Sequence, residues 1–217
     1  RTDLVKLPDG EESWKILWDE ANKNKISIIG SADDSFWIGA IYAGVKFEGI
    51  DKDEAGYKKV LDTLKAQRPL VRLYTSNNTE QQQALASGEI IAAMTWADAA
   101  TALLKEGVPV KFAQPKEGTL TWVCGLVINK NAPYLEKAYA LIDGMLDPEI
   151  GKYCIETFGY GHSNPASYAG VSPEQLKAIG MDKGPEETLK GGHFQVPQPD
   201  DFTSKMYKDW EQIKGGL

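Results

Sequence analysis

The sequence predicts an α/β protein in which helices cover a mostly parallel sheet, and three observations support this fold class. Short apolar runs alternate along the chain with longer segments of helical periodicity. Ser, Asp or Asn follows several of these runs almost at once, as expected where a strand leads into a helix. The 217 residues are 42% hydrophobic and 25% charged, which is enough apolar material for a folded core.

The first half of the chain supplies repeated strand and helix signals. Ser13 is placed to cap an amphipathic helix whose apolar positions Trp14, Leu17 and Trp18 share one face. Gly44 and Gly88 are expected to end helices. Strands are predicted at 26–30, 71–74 and 90–96, and helices at 35–43, 52–66, 79–86 and 97–105.

The second half continues the alternation and then becomes irregular. Segment 158–170 is rich in Gly, Pro, Ser and Asn and is predicted to be a loop. Two or three shorter helices should close the chain, the last at 201–213. Before the loop, strands are predicted at 108–112 and 119–128, and helices at 133–145 and 148–157.

Charge and hydropathy exclude several classes of partner. Lys plus Arg is 24 and Asp plus Glu is 31, so the net charge is −7, and no basic stretch is present to neutralise phosphates. We therefore expect no nucleic acid. Acidity of this size favours cationic or neutral ligands and also serves solubility. The longest apolar stretches, such as 120–128, are too short for a bilayer, so we expect no direct membrane span.

No motif in the sequence predicts catalysis, a metal or a cofactor. Cys124 and Cys154 fit no zinc spacing, and His162 and His193 have no partner at metal or triad spacing. There is also no Gly-rich phosphate loop and no nucleophile elbow. We expect a protein that is not an enzyme.

Aromatic residues at predicted strand ends are the main functional signal. Trp96 closes a buried strand just before a helix, Trp122 lies in the strand after the Pro-Lys-Glu-Gly turn, and Tyr160 lies in the long loop. Aromatic faces can stack on an alkyl chain and attract an ammonium group. A single tryptophan is more often a core residue, but three aromatic residues in one predicted cleft favour a ligand site.

A resemblance to a known family covers nearly the whole chain. It is carried, in order, by segments 13–18, 88–96, 115–122 and 158–160, which resemble the spermidine/putrescine-binding proteins of ABC importers. The resemblance implies a periplasmic-binding-protein-like fold of type II, with one complete lobe plus part of the other. It implies that 1–122 and 168–217 form lobe two, that 123–167 is a late segment of lobe one, and that the rest of lobe one precedes Arg1.

The resemblance also implies a set of site residues. It places Trp96 and Trp122 on stacking tryptophans and Tyr160 on a cleft aromatic. Asp33 or Ser35 falls near amine-binding acids, with helix capping as the equal alternative. Gln195 falls near a polar ligand contact, where a solvated loop is the alternative.

Cys124 is the departure from the family pattern. Polyamine binders place an aspartate two residues after the cleft tryptophan, and a neutral thiol does not replace that charge. The resemblance implies an extracytoplasmic receptor for a small amine-bearing ligand, with an ABC transporter permease as its partner. A γ-amino acid or an opine-like solute is the alternative ligand. An enzyme on the same α/β lobe and a partner-binding module are the alternatives from other classes.

Overall fold

The computed structural model describes residues 1–5 and 11–217 and contains a three-stranded parallel sheet. Its strands are β1 (Ile26–Ile29), β2 (Val71–Thr75) and β3 (Ala92–Met94), in the order β2-β1-β3. Ile28 of β1 pairs with Tyr74 on one side and Met94 on the other. All four residues of β1 are buried because this strand lies in the middle of the sheet. The α/β prediction is confirmed.

Helices follow each strand of this sheet, and their starts lie at its carboxyl edge. Ser31 caps the first helix by accepting a hydrogen bond from the Asp34 amide at 3.3 Å, and Asn77 caps the third by accepting one from the Glu80 amide at 3.2 Å. The helices are α1 (Ala32–Ala43), α2 (Glu54–Gln67), α3 (Asn78–Ser87) and α4 (Ala97–Lys105).

The second half of the chain adds five helices to the described structure and a small second sheet. In that sheet β4 (Thr119–Thr121) pairs in parallel with β5 (Gly192–Phe194), which the sequence did not predict. The helices are α5 (Leu135–Met145), α6 (Pro148–Phe158), α7 (Pro173–Ala178), α8 (Gly184–Lys190) and α9 (Asp200–Gly215).

The main core lies between one face of the three-stranded sheet and helices α1, α2 and α9. Its largest fully buried side chains include Trp210 of α9 and Phe36 of α1. A second cluster packs α3 and α4 against the opposite face, through residues such as Leu85 and Leu103. A third, smaller cluster joins Ile155 of α6 to residues that follow it in the chain.

Several predicted elements are shorter than expected. The segment after Ser13 is a 3-10 helix of four residues, Trp14–Leu17, although the Ser13 hydroxyl does cap it. The strand predicted at 90–96 is reduced to β3, and the loop predicted at 158–170 contains a 3-10 helix, Pro165–Tyr168.

The predictions of a strand at 108–112 and of a long strand at 119–128 were wrong. In the first segment Pro109 has no amide hydrogen, and the Phe112 amide donates to the Ala178 carbonyl at 3.1 Å instead of to a strand. The second strand stops at Thr121 because its partner β5 stops at Phe194. Beyond it the chain is exposed, and Val127 is 94% accessible.

Candidate functional site

A cavity of about 590 Å³ lies at the carboxyl edge of the main sheet, next to the small second sheet. We call it the aromatic cavity because four of its nine lining side chains carry aromatic rings. The lining residues are Asp34, Trp96, Leu120, Thr121, Trp122, Val123, Tyr160, Phe194 and Gln195. Open α/β sheets bind ligands at this edge.

Secondary structure positions the aromatic residues of the cavity. Trp96 follows β3 and is the N-cap residue of α4, so it lies where the sheet ends. Trp122 follows β4 directly, and Phe194 closes the paired strand β5. The parallel pairing of β4 with β5 therefore brings Trp122 and Phe194, 72 positions apart in the chain, to one end of the small sheet.

Tyr160 is placed by the end of helix α6. Gly159 ends that helix with a positive φ of 69°, a conformation that glycine adopts without strain. A methyl group on Gly159 would lie 2.2 Å from the Thr101 hydroxyl oxygen and 3.1 Å from the Ala97 carbonyl oxygen. The backbone at Gly159 therefore packs directly on the first turns of α4, next to Trp96. This contact sets the backbone position of the following residue, Tyr160.

The cavity is open on its aromatic side. Trp122 is 50% accessible, Phe194 45% and Tyr160 42%, so each shows a large ring surface to solvent. Trp96 differs because it is half-buried and also packs against the main core. An apolar ligand segment can thus stack on the half-buried Trp96 ring and contact the three more accessible rings.

Asp34 is the only charged side chain among the residues that line the cavity in the described structure. It lies in the first turn of α1 and is half-buried. Burial raises the pKa of its carboxyl group, a hydrogen bond with Ser31 lowers it, and the neighbouring Asp33 raises it. A desolvated carboxylate of this kind gains from a cationic partner.

Asp98 adds negative charge behind the lining. It is half-buried in the first turn of α4, and its two carboxylate oxygens accept hydrogen bonds from the Asn78 amide nitrogen at 2.8 and 2.9 Å. Burial raises the pKa of the Tyr160 hydroxyl, and coulombic repulsion from Asp98, and from Cys124 when its thiol is ionised, raises it further. Tyr160, Asp98 and Cys124 are therefore electrostatic neighbours.

The structure brings together four of the residues predicted for the site, namely Trp96, Trp122, Tyr160 and Gln195. Asp33, Ser35 and Cys124 lie outside the lining. The Ser35 hydroxyl is buried and donates to the Ile29 carbonyl at 3.0 Å, and the Asp33 carboxylate accepts from the Tyr207 hydroxyl. Cys124 is exposed. A role in ligand binding stays a prediction for all seven residues.

Sequence reasoning missed several lining residues, of which Asp34 and Phe194 matter most. Asp34 lies between the two positions that were singled out, and consecutive residues of a helix point about 100° apart, so one position decides which acid faces the cavity. Phe194 precedes Gln195 in a segment that was not predicted to be a strand. The alternation of side chains in β5 was therefore not available as a signal.

Other polar groups nearby have structural contacts. Ser167 is buried, and its hydroxyl lies 3.1 Å from His162 Nδ1, while His162 Nε2 lies 2.9 Å from the Met145 carbonyl oxygen. These contacts tie the loop after α6 to the end of α5. No three or more of the described His, Cys, Asp and Glu residues are grouped so that they could hold a metal ion. Among the described helices, none has the length and hydropathy to cross a bilayer.

Comparison with known proteins assigns the family. A family described as bacterial extracellular solute-binding protein matches residues 1–180. The chain belongs to this family. Its relatives include the spermidine/putrescine-binding periplasmic protein of Salmonella typhimurium, 29% identical over 208 residues, which are 94% of this chain and 57% of the relative. Another is the putrescine/agmatine-binding protein of Pseudomonas aeruginosa, 27% identical over 72% of this chain and 44% of the relative.

A solved structure of a relative shows the same fold. It is a spermidine/putrescine ABC transporter substrate-binding protein from Streptococcus pneumoniae, which is 23% identical and superimposes with a TM-score of 0.80. The match covers 99% of this chain and 64% of that one. The periplasmic-binding-protein-like fold predicted from the sequence is confirmed. The chain spans less than two thirds of the length of these relatives.

Proposed function

We propose that this chain is the larger part of an extracytoplasmic receptor that binds a small amine-bearing solute and delivers it to an ABC importer. The aromatic cavity carries the proposal. Among the residues that the structure describes, its lining combines four aromatic rings with a single half-buried carboxylate, Asp34, and includes no Lys, Arg or His. Aromatic faces and a carboxylate are the groups that recognise an alkylammonium ion.

The family and the names of the relatives support the same assignment. The relatives are named as binding proteins for spermidine, putrescine or agmatine, all of them cationic amines. We extend to this chain the role of such proteins as receptors for a membrane permease, outside the cytoplasm. No enzymatic activity is proposed, because the described lining of the cavity offers a surface for binding and no nucleophile paired with a base.

The exposure of residues 123–146 supports the division into lobes. Helix α5 has no buried residue, and large apolar side chains before and along it are accessible, including Val127, Tyr139 and Leu141. A water-soluble protein rarely leaves such a contiguous apolar surface open. We propose that 123–167 belongs to lobe one, and that the rest of this lobe is formed by residues outside this chain.

A second ligand class is favoured by one observation. Cys124, two residues after Trp122, provides a neutral thiol, so Asp34 is left as the only carboxylate among the described residues that line the cavity. One carboxylate suffices for one ammonium group, and unpaired burial of a second is costly. A γ-amino acid or an opine-like solute, with one cationic centre, is therefore the competing ligand.

The direct test is calorimetric titration of putrescine, γ-aminobutyrate and the neutral isostere 1,4-butanediol. The titrations use the 217-residue chain and the same protein extended N-terminally to the length of its relatives. We expect the extended protein to bind at least one amine at micromolar concentration and the diol far more weakly, since only the amine gains the charge-assisted contact to Asp34. Equal binding of diol and amine, or binding of neither, would refute the amine-receptor assignment.

The same titrations test the lobe assignment independently. We expect the 217-residue chain alone to bind weakly, because its cavity is open and leaves the ligand solvated on one side. Submicromolar binding by this chain, about −8 kcal/mol or stronger, would show that the cavity is complete without further residues.

A further inference from the structure

Two adjacent aspartates lie in the first turn of helix α1, and their carboxylates have different surroundings. Asp33 and Asp34 both lie in its first turn, and only Asp34 lines the aromatic cavity. Neighbouring residues of a helix point about 100° apart, so the rotational setting of this turn decides which of the two carboxylates faces the cavity. Something must hold the turn so that one acid faces the ligand site.

Helix α9 contacts this turn at two points. The Tyr207 hydroxyl donates a hydrogen bond to Asp33, and the Trp210 indole nitrogen donates one to the Gly30 carbonyl at 3.4 Å. Gly30 connects β1 to α1 and is followed by the cap residue Ser31. Trp210 is fully buried in the main core, so α9 has a fixed position from which Tyr207 can act.

We propose that Tyr207 is a positioning residue for ligand specificity: by holding Asp33 outside the aromatic cavity, it leaves Asp34 as the single carboxylate in the described lining of the cavity. The effect of Tyr207 on ligand choice rests on the proposed function. The action of Tyr207 on Asp34 through Asp33 is independent of that function. Electrostatics supports the link, since both Asp33 and Asp34 contribute to raising the pKa of Tyr207.

The ligand-free test follows the Asp34 carboxyl carbon by NMR during a pH titration. In Tyr207→Phe the Asp33 carboxylate loses its donor and can approach Asp34, so the midpoint of Asp34 should rise by about 0.3 pH unit, the effect of bringing a like charge about 2 Å closer in a half-solvated site. In Asp33→Asn the like charge is gone, and the midpoint should fall.

The double variant separates positioning from general destabilisation. If Tyr207 acts through Asp33, Asp33→Asn combined with Tyr207→Phe should titrate like Asp33→Asn alone. A further shift in the double variant, or no shift in Tyr207→Phe, would overturn the proposal. Tyr139→Phe is the matched control, because Tyr139 is an exposed tyrosine of α5, and it should leave Asp34 unchanged.

The ligand test compares putrescine with γ-aminobutyrate in the N-terminally extended protein. A second carboxylate released toward the cavity favours a dication, so Tyr207→Phe should raise the ratio of putrescine to γ-aminobutyrate affinity about threefold. The double variant should show the ratio of Asp33→Asn. An unchanged ratio in Tyr207→Phe would refute the specificity role. Failure of the unsubstituted protein to bind either ligand would refute the receptor function and leave the NMR result to decide the positioning role.

Discussion

Helices α1 and α5 are similar in length and in apolar content, yet they differ completely in burial. Seven of the residues of α1 are buried, from Ser35 to Ile41, whereas α5 buries none. Helix α1 is covered by the sheet, α2 and α9, and the apolar side chains of α5 are accessible to solvent. A helical pattern therefore predicts a helix, but its partner has to come from elsewhere in the fold.

The largest expected effect is on the free energy of unfolding, which a substitution in the core around α1 should lower far more than one in α5. Trp210 is 1% accessible and packs edge to face on Tyr74, with 5.7 Å between ring centroids. Trp210→Ala should lower the free energy of unfolding by about 3–5 kcal/mol. Tyr139→Ala on α5 should change it by less than about 0.5 kcal/mol. Urea unfolding of both variants measures the difference, and equal losses would mean that α5 is as well packed as α9.

Two glycines give the next test of the comparison. Gly159→Ala would force a side chain into a positive φ of 69° and against Thr101, and we expect a loss of about 1–3 kcal/mol. Gly144→Ala in α5 meets no atom within 4 Å and should stabilise the protein by up to about 1 kcal/mol, because alanine loses less entropy in a helix. Thermal unfolding measures both changes in stability. Changes of the same sign in the two variants would contradict the comparison.

Asp34→Asn should weaken amine binding about tenfold or more in the extended protein, because a charge-assisted hydrogen bond is lost. Calorimetric titration of the amine measures the loss.

Asp34→Asn should also change how the free energy of unfolding depends on pH. Since folding raises the pKa of Asp34, its ionisation opposes folding; this contribution grows as pH rises from the unfolded to the folded pKa and is complete above the folded one. Asp34→Asn should therefore be no less stable than the unsubstituted chain at pH 7. Urea unfolding at pH 4 and pH 7 would show a destabilised variant if Asp34 were a structural acid.

The smallest expected effect is a change in ligand preference caused by a substitution at Cys124, near the start of the exposed residues 123–146. Cys124→Asp would add a carboxylate near Tyr160, and we expect the preference for putrescine over γ-aminobutyrate to rise up to about tenfold. The control is Cys124→Ser, which is similar in size and stays neutral. Paired titrations of the extended protein give the ratio. An unchanged ratio in Cys124→Asp would mean that residue 124 does not face the ligand.

Much of the fold was predictable because local chemistry encodes it. The parallel sheet follows from three buried apolar runs, and helix starts follow from caps such as Ser31 and Asn77. Strand lengths were not predictable in the same way, since β4 ends where its partner β5 ends. The pattern of residues 119–128 contains no information about that partner.

The site was predictable in its aromatic residues and not in its acid. Trp96 and Trp122 stand at strand ends, which is a sequence-visible position, and both line the cavity. Which of two adjacent aspartates faces the cavity depends on the rotation of α1, and this is set by contacts from a helix more than 160 residues later in the chain. Only the tertiary structure contains that relation.

The covering of α1 by α9 has a consequence for synthesis. The hydrogen bond between Asp33 and Tyr207 joins residues 174 positions apart. At about 5–20 residues per second, the ribosome needs on the order of 10 to 35 s to make the intervening chain. During that interval the apolar face of α1 has no cover from α9, and the nascent protein is exposed to aggregation. The complete burial of α1 therefore has to wait until α9 has been made.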